Sequence, residues 1–286
     1  MTREGVALGE RLFFDPILSI DSTVACGSCH DPAFSFSDPK AFSDGVAGKT
    51  GRNSMAVVNV AWMPTLFWDG RAGSVEEQAL GPVENPVEMG ESWPHVVEKL
   101  QRHPDYPRLF DEAFETSAIT PELVVKAIAQ YERTLISANA RYDRFKAGEE
   151  TLTAQEELGR TIFFGERGDC FHCHGTALFT DNRYHNNGLD AVPADSGLAG
   201  ITGASFDLAK FKTPSLRNVA VTAPYMHDGR FETLEDVVTF YNAEVQPSAT
   251  LDPLLGRTRR EPLSDEEQAA LVAFLHTLTD DDFLSP

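Results

Sequence analysis

The chain has 286 residues, 42% of them hydrophobic, which is enough to build one large domain or two compact ones. Its 44 acidic and 24 basic side chains give a formal net charge of -20 at pH 7. This charge excludes nucleic acid as an expected partner, because phosphate binding needs a basic surface, and it suits a basic redox partner or a basic protein substrate.

The first predicted element is an amphipathic helix that contains ALGERLFFD (residues 7–15). It is followed by the pentapeptide CGSCH at residues 26–30. A further helix is predicted from Pro121 to about Ser137, with Thr120 as its N-cap and the proline in its first turn.

A domain boundary is expected near residues 148–152, so that the two predicted domains comprise residues 1–150 and 151–286. The second domain opens on the capping box Thr153-Ala-Gln-Glu156, which predicts the start of a helix. This helix contains ELGRTIFFG (157–165), which shares the pattern LGxxxFF with the first predicted helix. The shared pattern favours two domains related by duplication.

A second pentapeptide, CFHCH, follows at residues 170–174. Another capping box, Ser264-Asp-Glu-Glu267, opens the last predicted helix. One face of that helix is apolar and carries Leu271, Phe274 and Leu275. Strand patterns are weak and short, so the predicted fold class is mainly α, with long loops and little strand.

The two pentapeptides contain all four cysteines of the chain. Four cysteines could form two disulfides, one zinc site with four thiolate ligands, or a thioredoxin-like pair within each CxxC. None of these alternatives explains why a histidine follows the second cysteine both times. CxxCH attaches c-type haem: the thiols form thioethers, and the histidine is the proximal ligand of the iron. The sequence therefore predicts two covalent haems, held by Cys26, Cys29 and His30 and by Cys170, Cys173 and His174.

The haem motifs also predict a location, because c-type haem is attached outside the cytoplasm. The first residues, MTREGVALGE, do not resemble a signal peptide, so the prediction is a periplasmic protein in its mature form, without its leader. No apolar run approaches the roughly 18 residues of a membrane span. No membrane span is therefore predicted.

The chain resembles the bacterial di-haem cytochrome c peroxidases and their relative MauG over nearly its whole length. The resemblance is carried by the strings LGERLFFDPILS, CGSCHDP, GRNS, FWDGRAGSVEEQALGPVENPVEM, CFHCH, TPSLRNVAVTAPYMHDG and LVAFLHTL. It implies two c-type cytochrome domains and a di-haem enzyme that reacts with H2O2. The branches of this family differ in the sixth ligand of each iron.

In the peroxidases, a distal histidine between the first CxxCH and GRNS closes the first haem. The corresponding loop here, DPAFSFSDPKAFSDGVAGKT, contains no histidine, and the expected position falls near Gly45. The resemblance therefore implies that the haem held by His30 is open or binds water. The alternative is that His95 or His103 closes it.

The second haem of the peroxidases has a methionine ligand fourteen residues after the histidine of a PYxH segment. Counting from His227 leads here to Tyr241, and MauG also carries a tyrosine at this position. Tyr241 is thus implied as the sixth ligand, whereas a buried core tyrosine and ligation by Met226 are the alternatives. A thioether stabilises Fe(II), whereas an anionic phenolate stabilises Fe(III) and higher charge.

Further residues are implied by matching the family position by position. Trp68 matches a tryptophan that passes electrons between the haems. Glu88 matches the base that moves a proton between the oxygens of peroxide. Gln78 is implied to position the peroxide, and Pro82 to restrict the space above the iron.

A calcium ion between the haems is also implied by the resemblance. Its ligands would be the side-chain oxygen of Asn53, the backbone carbonyls of Thr222 and Pro224, and several waters, which are the hard oxygen donors that Ca²⁺ prefers. No acidic cluster in the sequence indicates this ion independently.

The resemblance implies a MauG-like oxidase, which uses H2O2 to form a bis-Fe(IV)-type state and oxidises residues, tryptophan above all, on a partner protein. One alternative is a peroxidase that reduces H2O2 to water with electrons from a small cytochrome or cupredoxin; another is a passive di-haem electron carrier. MauG passes electrons through a surface tryptophan two residues before the second CxxCH, where this chain has Gly168. This difference favours an MbnH-like branch, and the partner and the oligomeric state stay open.

Overall fold

A computed structural model describes residues 1–256 and 261–284 of the chain. These residues form mainly helices joined by long loops, which confirms the predicted fold class. The strands among them are short antiparallel pairs: β1 (Asp44–Gly45) with β2 (Gly48–Lys49), and β3 (Tyr184–His185) with β4 (Phe211–Lys212). None of the described helices has both the length and the apolar character needed to cross a membrane.

The contacts within the chain divide it into two compact units. The first unit comprises Met1–Leu66 and Ala72–Ile136, and the second comprises Phe67–Arg71 and the chain from Ser137 onward. Trp68 therefore groups with the second unit, although the chain on either side of Phe67–Arg71 belongs to the first. The limits of a haem domain need not coincide with those of a compact unit, so the boundary at 148–152 stays a prediction.

The first unit is built around the pairing of its first and last helices. Its α-helices are α1 (Arg3–Phe14), α2 (Val75–Glu84), α3 (Trp93–Arg102), α4 (Tyr106–Phe114) and α5 (Pro121–Glu132). Thr120 caps α5 as predicted, because its side chain accepts a hydrogen bond from the N–H of Leu123. The helix ends at Glu132, before the predicted Ser137, since the carbonyl of Leu135 accepts a hydrogen bond from Asn59 in a distant loop at 2.8 Å.

The second unit has a corresponding pair of helices. Its α-helices are α6 (Arg141–Ala147), α7 (Ala154–Phe164), α8 (Phe171–His174), α9 (Ala199–Thr202), α10 (Leu234–Thr239), α11 (Pro253–Gly256), α12 (Asp265–His276) and α13 (Asp281–Leu284). Both predicted capping boxes are confirmed, at Thr153 before α7 and at Ser264 before α12. The predicted apolar face of α12 is buried and packs against Phe163 of α7 in the core of this unit.

In each unit, the helix that precedes a CxxCH motif meets its partner helix at a glycine. A Cβ atom on Gly9 of α1 would lie 1.9 Å from the carbonyl oxygen of Ala127 in α5. A Cβ atom on Gly159 of α7 would lie 1.9 Å from the carbonyl oxygen of Ala270 in α12. The two glycines are the G of the shared LGxxxFF pattern, so the packing repeats along with the sequence and supports the predicted duplication.

Replacing Gly9 with alanine is expected to lower the free energy of unfolding, because the added methyl group forces the backbones of α1 and α5 apart at a cost of up to about 3 kcal/mol. The gain of about 1 kcal/mol in helix propensity offsets only part of this cost. Denaturant unfolding of the haem-loaded protein measures the effect. Gly51→Ala is the matched control, since a Cβ atom there meets nothing within 4 Å. Equal stability of the two variants would contradict the close helix contact.

Candidate functional site

The two CxxCH motifs fold in the same way. In the first, the N–H of His30 donates to the carbonyl of Cys26 at 3.0 Å; in the second, the N–H of His174 donates to the carbonyl of Cys170 at 2.9 Å. One helical turn thus links the first cysteine to the histidine in both motifs. None of the four cysteines forms a disulfide, so the disulfide alternative has no support.

Both histidine rings present the same nitrogen for ligation. His30 Nδ1 lies 3.0 Å from the carbonyl oxygen of Phe36, and His174 Nδ1 lies 2.8 Å from that of Phe179. A carbonyl oxygen only accepts, so Nδ1 carries the proton and Nε2 keeps its lone pair. Burial lowers the pKa of both rings, which favours the neutral form that a metal requires. The two histidines therefore fit the role of proximal haem ligands.

The thiols of the two motifs are unlike those of a reactive dithiol. Burial raises the pKa of Cys29 to about 11 and the pKa values of Cys170 and Cys173 to about 12. The pKa of Cys26 is raised as well, again mainly by burial. A redox-active dithiol needs a lowered thiol pKa. The environment of the thiols thus disfavours the thioredoxin-like alternative.

The loop of the first unit that lacks a histidine is closely packed at the predicted position. A Cβ atom on Gly45 would lie 2.0 Å from the carbonyl oxygen of Val87, so this position accepts no side chain without a shift of the backbone. The two alternative histidines have other partners: His95 Nδ1 pairs with Glu91 at 2.9 Å, and His103 Nδ1 accepts from the N–H of Asp105 at 3.2 Å. Apart from His30, each histidine of the first unit is thus engaged elsewhere.

The three predicted distal residues of the first unit lie on or directly after α2. Gln78 and Pro82 are one turn apart on this helix, and such residues share a face. The chain then folds back, because the N–H of Met89 donates to the carbonyl of Pro82 at 3.2 Å. Asn85 orients Glu88 by donating from Nδ2 to Oε1 at 2.7 Å. The structure therefore brings Gln78, Pro82 and Glu88 into one neighbourhood.

Electrostatics relates Glu88 to the first CxxCH motif. Burial is the largest cause of the raised pKa of Cys29, and the charges of Asp38 and Glu88 raise it further. The charge of Glu88 also contributes to the raised pKa of Cys26. The carboxylate thus lies within electrostatic range of both thiols that would hold the first haem.

Tyr241 lies in an irregular turn. The helix α10 is capped by Thr233, but it ends at Thr239 and continues as a π-helical turn over Phe240–Glu244. Single π turns are rare and are frequently found at functional sites. Tyr241 is 43% exposed and is not part of the buried core cluster of this unit.

The phenol oxygen of Tyr241 accepts a hydrogen bond from Asn187 Nδ2 at 3.3 Å. Desolvation raises the pKa of Tyr241 to about 12, the hydrogen bond from Asn187 lowers it, and the charges of Cys173 and Cys170 raise it. Tyr241 is therefore within electrostatic range of the second CxxCH motif. A phenol with this pKa stays protonated at neutral pH unless a cation lies beside it.

A second internal repeat places Pro82 and Tyr241 at equivalent positions in its two copies. NVA at 59–61 and 218–220 and DGR at 69–71 and 228–230 have the same spacing. In both copies the asparagine adopts a left-handed conformation and begins a 3-10 turn. A cap then opens a helix, Ser74 for α2 and Thr233 for α10. Pro82 and Tyr241 each follow eight residues after their cap, and each interrupts regular helical bonding. The repeated tripeptides are a sequence signal that our motif analysis missed.

The remaining predicted residues are described within their own units. Asn53, in the first unit, is buried, and its Nδ2 donates to the carbonyl of Lys40 at 3.1 Å. Thr222 and Pro224 belong to the second unit, as does Trp68, which is 9% exposed and accepts a hydrogen bond from the N–H of Lys212 at its carbonyl. The calcium site and the relay through Trp68 stay predictions.

Glu132 is a buried acid that sequence reasoning did not select. It is 5% exposed at the end of α5, and burial raises its pKa to about 8. Its charge contributes to the raised pKa of Cys26, so it lies near the first CxxCH motif. The neighbouring Arg133 pairs through both of its terminal nitrogens with Glu76, at 2.7 Å each. A single acid between an aromatic residue and an arginine forms no recognisable motif, so no sequence pattern indicates Glu132.

Because of the buried carboxyl group of Glu132, we expect the free energy of unfolding to depend on pH. Its folded pKa lies above the ordinary 4.5, so the folded protein keeps a proton that the unfolded chain has lost between pH 4.5 and about 8. Stability is therefore fully present below pH 4.5 and declines as the pH rises towards 8, by up to about 1.4 kcal/mol per pH unit. Glu132→Gln is expected to remove this decline in urea unfolding of the haem-loaded protein. Parallel pH profiles for the variant and the wild type would contradict it.

Comparison with known proteins agrees with this class of site. Residues 3–151 match the family model described as di-haem cytochrome c peroxidase. The chain is 39% identical to the methylamine utilization protein MauG of Methylorubrum extorquens, over 97% of this chain and 79% of the relative. It is also 33% identical to the cytochrome c551 peroxidase of Nitrosomonas europaea, over 98% of this chain and 81% of the relative.

Solved structures give the same result. A MauG-like protein associated with microbial copper homeostasis superposes with a TM-score of 0.93 at 37% identity, over 100% of this chain and 92% of that one. The di-haem peroxidase BthA of Burkholderia thailandensis superposes with a TM-score of 0.85 at 27% identity, over 99% and 87%.

The fold and the paired CxxCH motifs define a mainly helical di-haem oxidoreductase of the peroxidase type, which acts on peroxide. The chain belongs to the di-haem cytochrome c peroxidase family, which includes MauG. Membership implies two haems. MauG proteins and peroxidases occur among its relatives at similar identity, so the family alone does not select the branch.

Proposed function

We propose that the protein is a MauG-like oxidase of the periplasm, which uses H2O2 to oxidise residues, tryptophan above all, on a partner protein. The observation that carries the proposal is Tyr241, a phenol presented by a π turn within electrostatic range of the second CxxCH motif. An anionic oxygen ligand disfavours Fe(II), which a peroxidase would need as its electron donor. The phenolate instead supports an iron that stores oxidising charge.

The packing at Gly45 supports the same branch. The position has no side chain, and the nearby carbonyl of Val87 leaves no space for one. A peroxide-binding haem that no histidine closes is ready to react without prior reduction. The proposal therefore needs no movement of this loop before peroxide binds.

The residues of the two motifs would hold the haems through thioethers at the cysteines and through Nε2 of His30 and His174. When bound, the haems would supply the redox chemistry, that is, the two electrons that the reduction of H2O2 requires. Glu88 would accept the proton of the inner peroxide oxygen and return it to the outer one. Gln78 would donate to the peroxide and Pro82 would limit its space. We assign to Trp68 the passage of electrons and to Asn53, Thr222 and Pro224 a structural Ca²⁺.

The route to the partner differs from that of MauG. A Cβ atom on Gly168 would lie 2.4 Å from the carbonyl oxygen of Ile162, so an aromatic side chain does not fit there. The solved structure with the TM-score of 0.93 is a MauG-like protein of copper homeostasis. We therefore favour an MbnH-like enzyme over one that acts on methylamine dehydrogenase. The net charge of -20 favours a partner with a basic docking surface.

The test is to add one equivalent of H2O2 to the fully oxidised protein without reductant and to follow EPR and near-infrared absorption. We expect rapid loss of both ferric EPR signals together with a new near-infrared band from coupled haems. A reaction that starts only after one haem has been reduced would overturn the proposal. The protein would then be a peroxidase that takes electrons from a small cytochrome or cupredoxin.

A further inference from the structure

The side-chain amide of Asn187 meets two possible iron ligands. Its Nδ2 donates to the phenol oxygen of Tyr241 at 3.3 Å and lies 3.5 Å from the sulfur of Met226. An amide nitrogen has two hydrogens, so it can serve both acceptors at once. The predicted ligand of the second haem and its rival thus share one donor.

The backbone around Asn187 is fixed on both sides. The buried side chain of Asn186 donates to Ser248 at 3.1 Å and to Thr250 at 2.9 Å. The carbonyl of Gly188 accepts from the N–H of Gln246, at 2.8 Å, just beyond the π turn that carries Tyr241. The hydrogen bonds of residues 186 and 188 therefore hold the side-chain amide of Asn187 in place relative to the phenol of Tyr241.

Met226 shows that this arrangement has a conformational cost, and Gly188 occupies a position that requires a glycine. Gly188 has a φ of +74°, and a Cβ atom there would lie 2.8 Å from the carbonyl oxygen of Gln246. Met226 has a φ of 74° although it is not a glycine. Backbone in this region costs about 1–3 kcal/mol for such a residue and persists where the surroundings demand it. Gly188 follows Asn187 in the chain, and the sulfur of Met226 lies 3.5 Å from the side-chain nitrogen of Asn187.

We propose that Asn187 is a positioning residue that donates a hydrogen bond to the Tyr241 oxygen and thereby tunes the redox potential of the second haem. The inference rests on the proposed role of Tyr241 as an iron ligand. A hydrogen bond withdraws charge from the phenolate oxygen and weakens its donation to the iron. Without this bond, the phenolate stabilises the ferric iron more strongly.

The decisive variant is Asn187→Leu, which has a similar size but no donor. We expect the Fe(III)/Fe(II) equilibrium of the second haem to shift about tenfold towards Fe(III), the low end of the effect of such outer contacts on metal sites. For a one-electron couple this is a fall of about 59 mV in midpoint potential. Asn187→Gln keeps an amide donor and is expected to retain at least part of the wild-type potential.

Asn139→Leu is the matched control, because this exposed asparagine of the same unit donates from its side-chain nitrogen to Asp282, at 2.7 Å. An unchanged potential in Asn187→Leu, or an equal fall in the control, would overturn the inference. A rise in potential with the spectrum of a thioether ligand would also overturn it, since Asn187 would then restrain Met226. A different variant tests the proposed function itself. If Tyr241 is not an iron ligand, Tyr241→Phe leaves the ligand spectrum of the oxidised protein unchanged.

Discussion

Replacing Tyr241 with methionine is expected to suppress the reaction of the fully oxidised protein with one equivalent of H2O2 by at least about a thousandfold. A thioether favours Fe(II), and axial ligands together span about 0.8 V of haem potential. A rise of about 0.2 V, a quarter of that range, corresponds to about a thousandfold in a one-electron equilibrium. Rapid-mixing EPR measures the result as retention of the ferric signals.

Two variants make this result specific. Tyr241→Phe removes the oxygen without supplying sulfur, so it should lose the reaction without gaining the spectrum of a thioether ligand. Tyr225→Phe is the control, because the Tyr225 hydroxyl donates to the carbonyl of Val219 at 2.9 Å and has no assigned role. A fast, wild-type reaction in Tyr241→Met would remove the phenolate from the mechanism.

Glu88→Gln is expected to slow the reaction with H2O2 by about a hundredfold to ten-thousandfold, the range that a positioned base contributes. Glutamine keeps the shape of the side chain and can still accept the hydrogen bond that Asn85 donates at 2.7 Å. Because Glu88 is not an iron ligand in this scheme, the spectra of the resting oxidised protein should not change. Stopped-flow absorption at increasing H2O2 concentrations measures the rate constant.

The control for this prediction is Glu84→Gln, which changes an exposed acid at the end of α2, four residues before Glu88. It should react at the wild-type rate. If both variants react at that rate, Glu88 is not the base. If the two variants are slowed equally, the effect comes from the loss of a negative charge in this segment and not from proton transfer.

Helix starts followed from the sequence because their signals are local. Thr120, Thr153 and Ser264 each bond the first turn of the helix that they open, and each was found from its own few residues. The end of α5 was placed too late, since it depends on a hydrogen bond between Leu135 and Asn59, far apart in the chain. The placement of Phe67–Arg71 with the second unit is likewise a long-range effect.

The candidate site divides in the same way. The spacing of CxxCH specifies its chemistry within five residues, so the haem motifs could be recognised at once. The contact of Asn187 with Tyr241 joins residues that are 54 positions apart, and the approach of Gly45 to Val87 involves backbone atoms only. Neither leaves a pattern in the sequence. The π turn over Phe240–Glu244 was also missed, because its period differs from the one used to recognise helices.

The equivalent positions of Pro82 and Tyr241 have a consequence for how such an enzyme evolves. After a duplication, two copies of one fold can specialise only where a change is tolerated without rebuilding the core. The eighth residue after each cap is such a place, because regular helical bonding is already interrupted there. The ring of Pro82 has no atom that could bind the iron, which suits the capture of a small oxidant. The phenol of Tyr241 can bind the iron, which suits the retention of charge. In the proposed function, two equivalent positions of the repeated segments thus take two different roles.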